Sequence, residues 1–94
     1  MAWVIEYDSR VVKDMKKLDR KVQQQIIAYF DTRIAPSSDP HTFGKPLESS
    51  FSGLWRYRIG EYRAICRIEN THMVILVVRI SHRSTVYKKP LRKT

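Results

Sequence analysis

The pattern of apolar and polar positions along the chain changes its period from helical to alternating. The segment "AWVIEY" at residues 2–7 is rich in aromatic and β-branched residues and predicts a first strand. Val11, Val12, Met15 and Leu18 then recur at helical spacing, with Lys13, Asp14, Lys16 and Lys17 on the solvated side. Asp8 or Ser9 can cap this helix, because a short side-chain oxygen satisfies the unpaired amides of a first helical turn. Asp19 offers a second cap. Val22, Ile26, Ile27, Tyr29, Phe30 and Ile34 form a second amphipathic helix, which stops before Pro36 because proline disfavours helix just ahead of it. So short a connection predicts an antiparallel helix hairpin.

Residues 36–53, "PSSDPHTFGKPLESSFSG", mix Pro, Ser, Gly and Asp and predict a long loop. His41 and Lys45 lie within it, though their spacing demands no role. Three strands follow, near 54–59, 61–69 and 73–81, and alternation sorts their faces. A two-residue turn at Gly60-Glu61 sets Ile59 opposite Tyr62, Arg58 opposite Arg63 and Tyr57 opposite Ala64. Trp55, Tyr57, Ile59, Tyr62, Ala64, Cys66 and Ile68 then share one face, and Arg56, Arg58, Arg63, Ile65 and Arg67 the other. In the last strand Val74, Leu76, Val78 and Ile80 make an apolar row with Arg79 opposite. A loop of Asn70-Thr71-His72 aligns Ile68 with Val74 and sends Arg79 to the arginine face; a loop of Asn70-Thr71 does not. The first register is preferred, because an unpaired charge in the core is costly. The expected architecture is α+β, ordered β-α-α-β-β-β, with an antiparallel sheet packed on a two-helix hairpin in a single domain over residues 1–94.

Charge sharpens this picture. The chain carries a net charge of +9. Residues 1–54 hold 8 Lys/Arg against 7 Asp/Glu, whereas residues 55–94 hold 10 against 2. A balanced scaffold therefore precedes a basic half suited to nucleic acid, or to an acidic protein covering the same surface. The lone Cys66 has no partner for a disulfide or a thiolate metal site and reads as a small buried hydrophobe. No run approaches the ~20 apolar residues of a membrane span, and the acidic start does not resemble a secretory leader. A reduced, cytoplasmic protein without membrane attachment is expected.

The candidate chemistry lies on the arginine face. His41, His72 and His82 are scattered, no glycine-rich phosphate loop occurs, and Glu61 and Glu69 are the only acids of the basic half. No metal or cofactor is expected. Arg58 directly opposite Arg63 is a destabilising like-charge pair, which suggests a negative ligand. Guanidinium groups bind phosphate through forked, charge-assisted hydrogen bonds and stabilise the extra charge of a pentacoordinate phosphorus. RNA brings its own nucleophile, the 2′-OH. Tyr87 can stack on a base or share in proton transfer, and His82 can titrate near neutrality, although alternation points His82 toward the helices.

The stretch "GLWRYRIGEYRAICRI", preceded by "GKPL" and followed by "VVRISHRSTVYK", resembles the RelE family of toxin ribonucleases within the RelE/ParE superfamily. The likeness covers nearly the whole chain and implies a RelE-like, microbial-RNase-like fold. It also implies an mRNA interferase that binds the ribosomal A site and its rRNA, cuts the message there through the 2′-OH, and needs no cofactor. A cognate RelB-like antitoxin would neutralise it, and the pair would bind its own operator DNA through the antitoxin. By this resemblance Arg56 and Arg58 match the basic pair before the turn, and Arg63 the phosphate-binding arginine. Arg83 matches the residue assigned to the leaving group, Tyr87 the tyrosine that stacks on the target base or activates the 2′-OH, and His82 a position often held by histidine. The "ESSFS" spacing and the short, proline-containing C-terminus depart from the family pattern. A ParE-like DNA gyrase inhibitor shares the fold without needing cleavage residues, and a nucleic-acid-binding module without catalysis is a third class. Retention of Arg83 and Tyr87 favours the RelE branch.

Overall fold

The computed structural model describes residues 2–47 and 53–83. Strand β1 (Val4–Tyr7) leads into helices α1 (Ser9–Lys16) and α2 (Arg20–Tyr29). Four strands follow: β2 (Lys45–Pro46), β3 (Leu54–Ile59), β4 (Tyr62–Glu69) and β5 (Val74–His82). Asp8 caps α1, its carboxylate accepting from the Arg10 amide at 2.9 Å. Asp19 occupies the cap position of α2 without a side-chain bond. There the Gln23 side chain donates to the Leu18 carbonyl at 2.8 Å, which ties the α1–α2 junction to the second helix. Past Tyr29 the helix widens into a π-helical turn, Phe30–Ile34, closed by the Ala35 amide donating to the Phe30 carbonyl at 2.8 Å.

The strands form one sheet in the order β1-β5-β4-β3-β2. β3, β4 and β5 make the expected antiparallel meander. β1, however, pairs with β5 in parallel, Val4 beside Val74 and Tyr7 beside Val77, so the sheet is mixed and not purely antiparallel. Alternation reports which face a side chain takes but not strand direction. Here the direction follows from the two helices, which carry the chain across one face of the sheet before the meander begins. The loop after α2 also contains a short 3₁₀ turn, Pro40–Phe43, and the two-residue β2 on the outer edge of β3. Gly44 permits that approach: a Cβ there would lie 3.0 Å from both the Arg56 carbonyl oxygen and the Tyr57 ring.

The core lies between the helices and one sheet face. It gathers Val11 and Met15 of α1, Ile26 of α2, Phe30 and Ile34 of the π-helical turn, and Tyr57, Ile59, Ala64, Cys66, Ile75, Val77 and Ile80 of the sheet. Tyr7, Tyr29 and Tyr57 each meet Phe30 edge to face, with ring centroids 6.2, 5.8 and 5.8 Å away. Fully burying a side chain such as Phe30 stabilises the fold by about 1.5–3 kcal/mol. The Tyr57 hydroxyl donates to the Pro40 carbonyl at 2.8 Å, which anchors the long loop to the sheet. Val12 and Ile27, expected on the apolar helix faces, are about 40% exposed. They line a small apolar groove with Tyr7 and Met15.

The β3–β4 hairpin has the register expected from the Gly60-Glu61 turn, including Arg58 opposite Arg63. Gly60 takes φ +57°, a left-handed conformation suited to glycine. The β4–β5 register matches neither loop considered from the sequence. The connection takes four residues, Asn70–Met73, with Met73 at φ +55°, and Ile68 faces Ile75. The core row of β5 therefore begins Ile75, Val77 and not Val74, Leu76. A bulge then shifts the ladder: Cys66 faces Val77 but Ile65 faces Arg79, leaving Val78 as the extra residue. After it Ile80 returns to the core, and Arg79 reaches the arginine face by way of the bulge and not through the loop.

Candidate nucleic-acid interface

The sheet face turned away from the helices carries the basic residues in register. One rung runs Lys45, Arg56, Ile65, Arg79 across four strands, and the next runs Arg58, Arg63, Ser81. Arg67 lies on the same face, between Leu54 and Leu76. Phe43, Lys45, Arg56, Arg58 and Arg63 line a cleft of about 290 Å³, with no carboxylate among them.

Arg63 sits at the bottom of this arrangement, only 6% exposed. Its Nη1 donates to the Tyr62 carbonyl at 3.3 Å. The neighbouring Ile65 is buried as well, so the position between Arg56 and Arg79 is apolar and poorly hydrated. A directly opposed like-charge pair costs about 0.2–1 kcal/mol, and a guanidinium withdrawn from water costs more unless an anion meets it. The cleft is thus arranged to gain from a bound phosphate, with Arg58 exposed at the rim and Arg63 sheltered beneath.

The other residues singled out from the sequence divide. Arg83 leaves the ladder at the hairpin end, where its Nε pairs with Glu61 Oε1 at 2.9 Å and its amide donates to the Glu61 carbonyl at 2.8 Å. Both side chains of that pair are more than half exposed, so it orients Arg83 and contributes little to stability. His82 faces Tyr62 across the ladder and meets its ring edge to face at 5.3 Å. Tyr62 packs against the core, so His82 stands on the helix side of the sheet, as alternation predicts. Tyr87 lies outside the described residues.

Two lining residues have no clear sequence signal. Lys45 reaches the cleft only because β2 pairs with β3, and Phe43 only because the 3₁₀ turn ends there. The Gly44-Lys45-Pro46 triplet is the visible trace, a small residue for close approach followed by a proline tolerated at a sheet edge. On the other side of the loop, the His41 ring packs against Trp55 at 4.6 Å and its Nδ1 lies 2.7 Å from Asp39 Oδ1. That hydrogen bond holds the Asp39 carboxyl below its ordinary range. Burial pushes the Cys66 thiol far up, in keeping with a structural hydrophobe. Among the described residues no cluster of His, Cys, Asp and Glu is placed to hold a metal ion, and no helix is long and apolar enough to cross a membrane.

Known proteins resemble this chain in sequence and fold. Toxin RelG of Mycobacterium tuberculosis is 25% identical over 89 residues, covering 95% of this chain and 100% of that protein. The toxin–antitoxin complex RelBE2 of M. tuberculosis contains a chain of the same fold, with a TM-score of 0.80 and 23% identity, covering 88% of this chain and 100% of that one. The archaeal RelE–RelB complex of Pyrococcus horikoshii contains another, with a TM-score of 0.66, 22% identity, and coverage of 88% and 97%. The family model for the ParE toxin of type II toxin–antitoxin systems, parDE, matches residues 5–87. With its helices, mixed sheet and basic face all inside that match, the chain belongs to this family of type II toxins in the RelE/ParE superfamily.

Proposed function

We propose that this toxin is a metal-independent endoribonuclease of the RelE type, which cuts mRNA in the ribosomal A site and is neutralised by a RelB-like antitoxin. The observation that carries the reading is the cleft itself, where Lys45, Arg56, Arg58 and Arg63 converge and, among the described residues, no carboxylate joins the lining. A site so built favours a phosphodiester and repels no part of it.

In the proposed reaction the 2′-oxygen attacks the adjacent phosphorus and gives up its proton. The bond from phosphorus to the 5′-oxygen breaks, and that oxygen takes up a proton. The products are a 2′,3′-cyclic phosphate and a 5′-hydroxyl. Arg63, with Arg56 and Arg58, stabilises the charge that accumulates on the equatorial oxygens. Arg83 is assigned to the leaving oxygen and Tyr87 to the target base or the 2′-OH. His82, on the far side of the sheet beside Tyr62, is given no step here. The salt bridge to Glu61 is weak enough for Arg83 to exchange it for a phosphate. The RelE–RelB complexes among the structural relatives support an antitoxin partner, which is proposed to cover the basic face. Binding of the toxin–antitoxin pair to its own operator DNA, through the antitoxin, belongs to the same proposal.

The test is primer extension on a defined message in a reconstituted translation system. Wild type should cut at A-site codons, and Arg63→Ala and Arg83→Ala should abolish cutting while still binding antitoxin. Uncut message with all three proteins would overturn the proposal. The ParE description of the matching family favours one second reading, inhibition of DNA gyrase. A supercoiling assay run beside the first distinguishes it, since gyrase would then stall with wild-type toxin while the message stays intact.

A further inference from the structure

A second groove of about 290 Å³ adjoins the basic cleft at the end of β3 and is lined by Gln25, Ala28, Tyr29, Thr32, Arg33, Arg58, Ile59 and Gly60. Arg58 lines both spaces. The two meet because β2 pairs only with Trp55 and Arg56, so β2 leaves Tyr57–Ile59 uncovered. Arg58 lies on this stretch, with the cleft on one side and α2 on the other.

We propose that this groove is a second nucleotide subsite, which takes the RNA residue next to the one held in the cleft; it rests on the RNA reading above. Its chemistry fits a nucleotide in each part. Arg33 and Arg58 supply two guanidiniums, both exposed, and neither has an ion-pair partner among the described residues. Among the described residues no carboxylate lines the groove. The nearest acid in sequence, Asp31, is not among the residues that line it. A strand whose phosphate rests on Arg58 in the cleft would thus bring its next phosphate to Arg33 in the groove.

Tyr29 lines the same groove as the two cations and gives it an aromatic wall. Its ring is half-buried and held edge to face by Phe30 at 5.8 Å and Tyr57 at 6.3 Å, so little order has to be imposed when a base packs on it. Gln25 contributes an amide able to donate and accept. It is held close to the turn, since a Cβ on Gly60 would fall 2.8 Å from its Nε2. The Thr32 hydroxyl donates to the Ala28 carbonyl at 2.7 Å, which leaves its lone pairs to accept from a base. Gln25, Ala28, Tyr29, Thr32 and Arg33 follow the spacing of one helix face, and the π-helical turn begins within it at Phe30. Such turns recur at functional sites because they re-aim the side chains that follow.

The test measures fluorescence anisotropy of labelled, fully 2′-O-methylated oligouridylates, which cannot be cut through the 2′-oxygen. A labelled 2′-O-methyluridine monophosphate, which can fill the cleft alone, and a hexanucleotide are titrated with the full-length protein. Wild type should bind the hexanucleotide more tightly. Arg33→Ala should weaken hexanucleotide binding about 5–10-fold and reduce its log K against log salt slope by about 0.7, the increment for one phosphate contact on a single strand. Mononucleotide binding should stay within about twofold. Arg33→Lys should restore most of the slope, and Lys13→Ala, on the exposed face of α1, should change neither ligand. The subsite is overturned if Arg33→Ala leaves hexanucleotide binding intact, if it weakens both lengths equally, or if wild type binds neither. Retained A-site cleavage in any of those cases would leave the ribonuclease reading standing and remove only the subsite.

Discussion

Arg63 should be a residue that the free protein would be more stable without. It is 6% exposed, it stands directly opposite Arg58, and its one side-chain hydrogen bond among the described residues, to the Tyr62 carbonyl, is long at 3.3 Å. Methionine has a similar length, bends easily and carries no charge, so Arg63→Met keeps the volume while removing the ion. Relief of the cross-strand repulsion is worth about 0.2–1 kcal/mol. Replacing a buried ion with an apolar group of similar volume is often neutral or stabilising by about 1–4 kcal/mol. With part of that lost because Arg63 sits at a hydrated cleft, the expected gain is about 1–3 kcal/mol. For a domain of this size that raises Tm by on the order of 5–15 °C.

The assay is thermal unfolding of wild type, Arg63→Met and the exposed-site variant Arg58→Gln, with sodium chloride and with added phosphate. Arg58→Gln should gain no more than the repulsive part, and that gain should shrink as chloride shortens the screening length from about 10 Å toward 3 Å. Phosphate should stabilise wild type, because a ligand that binds only the folded state adds about 2.7 kcal/mol at a hundredfold excess over its Kd. It should do little for Arg63→Met. A lower Tm in Arg63→Met, with phosphate stabilising both proteins equally, would refute the reasoning and make Arg63 a structural residue.

Two further outcomes follow from the packing. Tyr57→Phe removes the donor to the buried Pro40 carbonyl, so urea unfolding should show a loss of about 1–2 kcal/mol, and an unchanged midpoint would show that the loop is anchored elsewhere. In alkali, burial and the nearby Asp31 charge push the Tyr7 phenol from 10.0 up to about 12, and burial raises Tyr57 in the same direction. A folded-state value above the unfolded one contributes stability that is complete below about pH 10 and lost as pH rises toward 12. Phenolate absorbance should therefore show these tyrosines ionising only as the chain unfolds, and Tyr7→Phe should flatten the fall in stability across that window.

The sequence by itself determined what depends on neighbours along the chain. Helical spacing identified both helices and most of their buried positions, Val11, Met15, Ile26, Phe30 and Ile34 among them. The glycine at residue 60 set the β3–β4 hairpin, and alternation then placed Arg56, Arg58 and Arg63 together on the face opposite Tyr57, Ala64 and Cys66. These follow from the periods of helix and strand, which are properties of the local backbone.

Tertiary structure decided the rest. Parallel pairing of β1 with β5 depends on how two helices cross the sheet, which no residue pattern records. The apolar run "VILVV" can place either alternate row inward, so the choice fell to the four-residue turn and the bulge at Val78, which bury Ile75, Val77 and Ile80 together. Lys45 and Phe43 entered the cleft through an edge strand two residues long, too short to leave a periodic signal. Arg58 came to line both the cleft and the groove beside Arg33 because the sheet ends next to α2 there. A strand's own alternation assigns its arginines to a face, but only the packed molecule sets which other elements share the space in front of them.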